Sequence, residues 1–250
     1  MRITSLDDIN SWVQTWMKEK WVHKIIAFSG SSSTENPPWI PDELAIQLAQ
    51  INQAYVDAII TGTLNKLRDY RIAILTGWTK GGVPESTTRV ARGLWLPTIW
   101  VYPESRANKD SLAQEWLLDC SIEVGSVFGK SMFGDESTVF AKLADASIIF
   151  WGNAGTLVEV SHALKLNESL LEIDKITWKV VEKNAWEHRK YIIPVDGVPW
   201  IWSVVKLLPW KSYVREWTFP DKNIRSAQDI YMFLKDRLSL ADIHIDNDKK

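Results

Sequence analysis

The sequence predicts an open, doubly wound α/β fold over residues 25–160, a mostly parallel sheet flanked by helices, followed by a C-terminal extension. Three observations predict it. Short apolar runs such as HKIIAFSG at 23–30, RIAILTG at 71–77 and ASIIFWG at 146–152 each end in glycine. Segments of helical periodicity separate them. The two kinds alternate along the chain, which is the pattern of βα units whose strands are buried on both faces.

Taken in order, residues 6–20 read as an amphipathic helix, with Leu6, Ile9, Val13 and Trp16 on one face. The run 23–30 is a strand. Residues 41–60 are a helix, since Leu44, Leu48, Ile51, Tyr55 and Ile59 recur at three- and four-residue steps and Pro41 suits a first turn. A strand at 71–77, a short helix at 84–93 and a strand at 97–103 follow. Residues 111–119 read as a helix and 121–125 as a strand. A helix capped by Asp135 or Ser137 runs to Ala144, then a strand at 146–152 and a helix at 156–166. Beyond these, 177–182 and 190–195 read as strands and 228–238 as a terminal helix. The expected organisation is an N-terminal helical segment (1–22), a ligand-binding core (23–170), an extension of the same domain (171–240) and a polar tail (241–250).

Composition narrows the function classes. The chain has 250 residues, a net charge of -2 and a pI near 6.1, so a nucleic-acid partner is not expected. No apolar run reaches the length of a membrane span, so no membrane partner is expected either. Cys120 is the only cysteine, which excludes an intrachain disulfide and suits a cytoplasmic location. Cys120 reads as an inert core residue. The chain carries 15 tryptophans. Core packing is the favoured reading of these, with Trp200, Trp202, Trp210 and Trp217 lining an oligomer interface or lid as the alternative.

Three loops carry the chemistry. Gly30, Ser31 and Ser32 follow a strand, where backbone N–H and hydroxyl groups converge on an anion. The segment Gly77-Trp78-Thr79-Lys80-Gly81-Gly82-Val83-Pro84 has three glycines and leads into a helix start, whose first N–H groups favour a phosphate; Lys80 would add charge. Gly152-Asn153-Ala154-Gly155-Thr156 is the strongest signal, a strand, glycine turn and helix in direct succession. Thr156 either caps that helix or donates to an anion. The segment is neither GxGxxG nor GxxxxGK[ST], so neither NAD nor ATP follows from it. Glu159 reads as a first-turn acid, either completing a cap with Thr156 or holding a carboxylate at the cleft mouth. Asp135 and Glu136 follow Gly134 and would reach the same edge, as helix-start charge or as an acid/base partner to Glu159. The scattered histidines, His162 among them, have no metal-ligand spacing, and no metal or cofactor is expected.

Taken together these loops resemble the LOG-like (lonely guy) phosphoribohydrolases, also labelled lysine decarboxylase-like, of the wider SLOG superfamily. The resemblance spans residues 24–166 and rests on FSGSS at 28–32, LTGWTKGGVPESTTRVARG at 75–93, PTIWVYP at 97–103 and DASIIFWGNAGTLVE at 145–159. The last resembles the signature PGGxGTxxE: Gly152, Gly155, Thr156 and Glu159 match it, while Trp151 replaces the proline and Asn153 the second glycine. The resemblance implies a Rossmann-like sheet, a homodimer or higher homo-oligomer, and a nucleoside monophosphate or similar phosphorylated ligand. It also implies that Glu159 works with an upstream arginine in breaking an N-glycosidic bond. That arginine belongs to a segment of the type MHxRKxxM, and ungapped spacing puts Glu136 in its place. Lys130, Lys142 and Arg89 are the cations left to substitute. The resemblance therefore implies a divergent member, a binding protein first and a hydrolase or glycosyl transferase as the alternative.

Overall fold

The computed structural model describes residues 2–3, 6–30, 41–77, 79, 81–103, 119–125, 135–150, 154–177, 179–183, 189–197 and 211–245. Its centre is a seven-stranded sheet, all of whose pairings are parallel. The strands are β1 (Arg2–Ile3), β2 (Lys24–Ser29), β3 (Ile72–Thr76), β4 (Thr98–Pro103), β5 (Cys120–Val124), β6 (Ala146–Ile149) and β9 (Tyr191–Pro194), in the order β1-β5-β4-β3-β2-β6-β9. A separate antiparallel ribbon joins β7 (Leu171–Ile173) to β8 (Val180–Glu182). Of the two C-terminal strands expected from the sequence, the later one extends the main sheet and the earlier one does not.

Helices cover both faces. On one face lie α2 (Asp42–Leu67), α3 (Gly82–Gly93), α7 (Ala227–Arg237) and a 3-10 turn (Leu240–Ile243). They bury Val56, Ile60, Leu64, Val83 and Ile230 against Ile26, Phe28, Ile74 and Ile148. On the other lie α1 (Leu6–Glu19), α4 (Asp135–Leu143), α5 (Ala154–Leu170) and α6 (Ser212–Thr218). There Ile9, Val13 and Trp16 of α1 and Phe140 of α4 pack on Ile25, Ala27 and Leu75, while Val160 and Leu164 of α5 pack on Ile149 and Ile192. Successive strand residues thus alternate between two apolar clusters, which is why the strands read as continuous apolar runs.

Several boundaries differ from the sequence reading. Helix α2 runs seven residues past the expected end. Its buried positions, Ala45 apart, begin at Val56, and Leu44 and Ile51, expected on a buried face, are exposed at 48% and 64%. Helix α5 begins at Ala154, two residues early. Thr156 therefore lies inside the first turn, buried, and not at the cap. Glu159 is beyond the first turn, which holds no acid, so no capping box forms between the two. Helix α6 was not anticipated. The helix expected at 111–119 and most of the tryptophan-rich segment lie outside the described residues.

A buried polar joint ties α6 to the sheet. Asn167 on α5 donates from Nδ2 to the Lys190 carbonyl (2.7 Å) and to Thr218 Oγ1 (2.8 Å), and accepts from the Lys190 N–H (2.8 Å). Thr218 passes its own proton to the Val214 carbonyl (2.6 Å). Asn167→Ala leaves these groups without partners in a dry interior. We expect a loss of ~3 kcal/mol in urea denaturation, against under ~1 kcal/mol for the exposed Ser169→Ala.

Candidate functional site

All strands of the main sheet run the same way, so their carboxyl ends share one edge. The chain passes from β2 to β3 on one side, and β6 then returns to pair with β2 on the other, Ala27 opposite Ser147 and Ser29 opposite Ile149. The strand order reverses at this β2/β6 boundary, the place where an open α/β sheet leaves a crevice. Helices α3 and α5 both begin at this edge, on opposite faces of the sheet. The end of β2 lies between them.

Ser29 closes β2, is buried, and its carbonyl accepts the Phe150 N–H at 3.0 Å. Its hydroxyl donates a hydrogen bond to the Glu159 carboxyl. Part of the Glu159 residue reaches solvent, but its carboxyl is enclosed. Burial raises its pKa to about 8; Ser29 opposes that shift and the nearby Glu136 carboxylate adds to it. Glu159 therefore holds its proton at neutral pH. One turn on, His162 meets Thr138 of α4 at 3.0 Å, and burial lowers the imidazole pKa. Helices α4 and α5 thus set two pairs side by side, Glu136 with Glu159 and Thr138 with His162. On α4 between Glu136 and Thr138, the Ser137 hydroxyl is buried and has no hydrogen-bond partner among the described residues.

On the other side of β2, the turn into α3 is built by glycine. Gly81 has φ 83° and Gly82 φ 55°, the left-handed region that side chains other than glycine adopt at a cost. The Gly81 N–H donates to the Glu85 carboxylate at 2.6 Å. Below this turn, Thr76 and Thr87 are fully buried and neither hydroxyl has a partner among the described residues. Thr88 next door is satisfied, donating to the Pro84 carbonyl (2.8 Å) and accepting from Trp100 Nε1 (3.1 Å).

The structure thus brings Glu159 and Glu136 together at the end of β2, just before Gly30. Gly77, Thr79, Gly81 and Gly82 lie at the end of β3 and the start of α3, and Gly155 and Thr156 in the first turn of α5. Ser31, Ser32, Lys80, Gly152 and Asn153 lie outside the described residues, as does the Asp135 side chain. Ser29 was not singled out from the sequence, although it belongs to FSGSS. A serine one residue before a glycine turn carries no signal beyond the turn itself. Cys120 is buried and its thiol pKa is pushed up to about 12 by that burial, which leaves it inert. Among the described residues no cluster of three His, Cys, Asp or Glu side chains is placed to hold a metal ion, and no helix is long and apolar enough to cross a membrane. A separate open depression of about 690 Å³ lies where α6 meets the end of α7, lined by Arg215, Glu216, Phe219, Asp221 and Arg237. None of the predicted site residues borders it.

Comparison with known proteins agrees with this architecture. No family model and no curated protein matches the sequence. Among solved structures, the fold is similar to that of the protein TM1055 (TM-score 0.52, 14% identity, covering 86% of this chain and 99% of that one). It is similar to the molybdenum cofactor binding protein of Rippkaea orientalis (TM-score 0.52, 17% identity, 86% and 97%). The molybdenum cofactor carrier protein of Chlamydomonas reinhardtii is another such structure (TM-score 0.51, 12% identity, 86% and 98%). At these identities the likeness is one of fold, a Rossmann-like α/β sheet.

Proposed function

We propose that this protein binds a nucleotide or phosphoribosyl-type small molecule across the carboxyl edge of β3, β2 and β6, as a divergent LOG-like member of the SLOG superfamily. One observation carries the reading: the Ser29–Glu159 pair sits at the reversal of strand order, between the starts of α3 and α5. The phosphate belongs at the helix starts, against residues 79–82 and 153–156, where the helix dipole favours an anion. The ribose belongs beside Ser29, Ser31 and Glu159, whose oxygens suit hydroxyl groups. Residues 23–170 form the binding core and 171–240 its extension, and the protein works in the cytoplasm as a homodimer or higher homo-oligomer. That two neighbours in fold are named for holding molybdenum cofactor supports a carrying role for this kind of sheet. A thermal-shift screen with nucleoside monophosphates, dinucleotides and cyclic nucleotides tests the proposal. At least one class raises the melting temperature; a flat response across all three removes it.

The state of Glu159 favours a second reading, hydrolysis or transfer at an N-glycosidic bond. A carboxyl group whose pKa is raised to about 8, beside a second carboxyl group, suits a division of acid and base roles. Glu159 would protonate the leaving base, and Glu136 or Asp135 would take the proton from the attacking water. Under this reading Glu159→Ala eliminates release of ribose 5'-phosphate from AMP, and equal rates in wild type and variant would place the chemistry elsewhere.

A further inference from the structure

We infer that the amino edge of the main sheet, opposite the proposed ligand site, docks the protein on an anionic lipid bilayer through Trp21 and Trp95. Each tryptophan follows a helix, Trp21 after α1 and Trp95 after α3, and each lies three residues before the next strand, β2 or β4. These strands flank β3 and run parallel to it. The two turns therefore open on one edge, about 10 Å apart. Their rings stand outside the core, Trp21 being 69% and Trp95 90% exposed. Arg71, which leads into β3 between them, lays its guanidinium over the Trp21 ring at 5.5 Å.

Neither ring serves the turn that carries it. Trp21 has φ 56° and Trp95 φ 60°, the left-handed region at a helix exit where glycine fits at least cost. A large aromatic at such a position strains the backbone and gains no burial. The surrounding charge is of one sign. Residues 18–24, 66–71 and 92–95 carry seven lysines and arginines against two acids, in a chain whose net charge is -2. Asp145 and Asp119 offset Lys24 (3.5 Å) and Arg92 (2.8 Å), which still leaves a positive surplus. Cations at helix ends answer the helix dipole. The tryptophans do not.

Protruding indoles among lysines and arginines suit the interfacial layer of a bilayer. The rings take the boundary between headgroups and acyl chains, and the cations meet anionic headgroups. Turns that end parallel elements at one level form a front, which fits a broad flat surface. Such a contact is peripheral and needs no spanning helix. A second copy would set this positive edge against itself. A nucleic-acid base would need an open ring face, and Arg71 already takes one face of Trp21.

Flotation of the whole protein with vesicles tests the inference. Phosphatidylcholine alone is compared with phosphatidylcholine containing about one-third phosphatidylserine. Wild type is expected to partition about 10-fold or more better onto the anionic vesicles. The double variant Trp21→Gly/Trp95→Gly keeps the fold, because glycine adopts the left-handed turns freely, and should lose about 10-fold or more of that partition. Lys18→Gln/Lys20→Gln should lose about 10-fold on the anionic vesicles only. AMP binding, at the other edge, stays as in wild type, so it stands or falls separately. No partition by wild type overturns the inference, and so does equal partition by wild type and the tryptophan variant, since charge alone would then act. A shift in oligomeric state in sedimentation velocity, or loss of binding to a single-stranded oligonucleotide, seen in the tryptophan variant while wild type ignores vesicles, also overturns it. The edge would then serve a second copy or a nucleic acid.

Discussion

Under the proposed function, Gly155→Asp is expected to abolish AMP binding while the protein stays folded, a loss of roughly 100-fold or more in calorimetry. Gly155 is the second residue of α5, in the turn whose N–H groups have no intrahelical carbonyl to meet. An aspartate there adds a carboxylate within a few ångströms of the proposed phosphate and fills the space through which the anion approaches the backbone. An acid near a helix start is itself favourable to the helix, so stability holds or rises while affinity collapses. Gly155→Ala separates bulk from charge and should cost about 10-fold or less. Unchanged affinity in a correctly folded Gly155→Asp protein would move the phosphate away from α5.

The second large effect is the pH dependence that Glu159 imposes on stability. The pKa of its carboxyl is about 8 in the folded protein and 4.5 without the fold. Below pH 4.5 both states carry the proton, and the folded state has its full advantage. Between 4.5 and 8 the folded state holds a proton that the unfolded chain has released, so stability falls by up to ~1.4 kcal/mol per pH unit. The advantage is gone once pH passes 8. Part of the residue reaches solvent, which reduces the total to ~2–4 kcal/mol. Ser29 and Glu136 face Glu159, and Lys190 also titrates in this range, its pKa lowered to about 8 by burial. These groups are common to wild type and variant, so the difference between wild type and Glu159→Gln isolates the one carboxyl. In urea denaturation the variant should be close to wild type at pH 5 and more stable by that margin at pH 9. Parallel curves would show that the carboxyl is solvated.

Much of the fold was legible because buried parallel strands announce themselves as apolar runs. HKIIAFSG, RIAILTG and ASIIFWG became β2, β3 and β6 with boundaries off by at most three residues. Elements whose burial depends on distant partners were not legible. Helix α6 buries only Val214 and Thr218, and Thr218 is wired to Asn167 from 51 residues away. In α2 the apolar repeat ran through both halves, and nothing local tells the exposed Leu44 and Ile51 from the buried Ile59 and Ile60. The candidate site divided in the same way. Glu159 was marked by its signature, whereas the Ser29 hydroxyl that binds it became visible only once β2 and β6 were paired. Glu136 was read as helix-start charge or as an acid/base partner to Glu159, and its effect on the Glu159 carboxyl became visible only with α4 lying along α5.

The pairing of β2 with β6 also fixes an order of events during synthesis. One flank of β2 is closed early, when β3 arrives and Lys24 lines up with Ile72. The other flank waits for β6, and the first bond across it, from the Ile25 N–H to Asp145 (2.8 Å), joins residues 120 apart. At about 5–20 residues per second, a growing chain carries β2 as an open edge for roughly 6–24 s. In that interval Phe28 has no Phe150 to stack on, and neither Ser29 nor the α5 start has met its neighbour. The nascent half-sheet therefore has an adhesive strand and no crevice, so a small molecule cannot shield it. Protection during those seconds falls to the Lys24 charge at the head of the strand and to whatever holds the chain as it emerges.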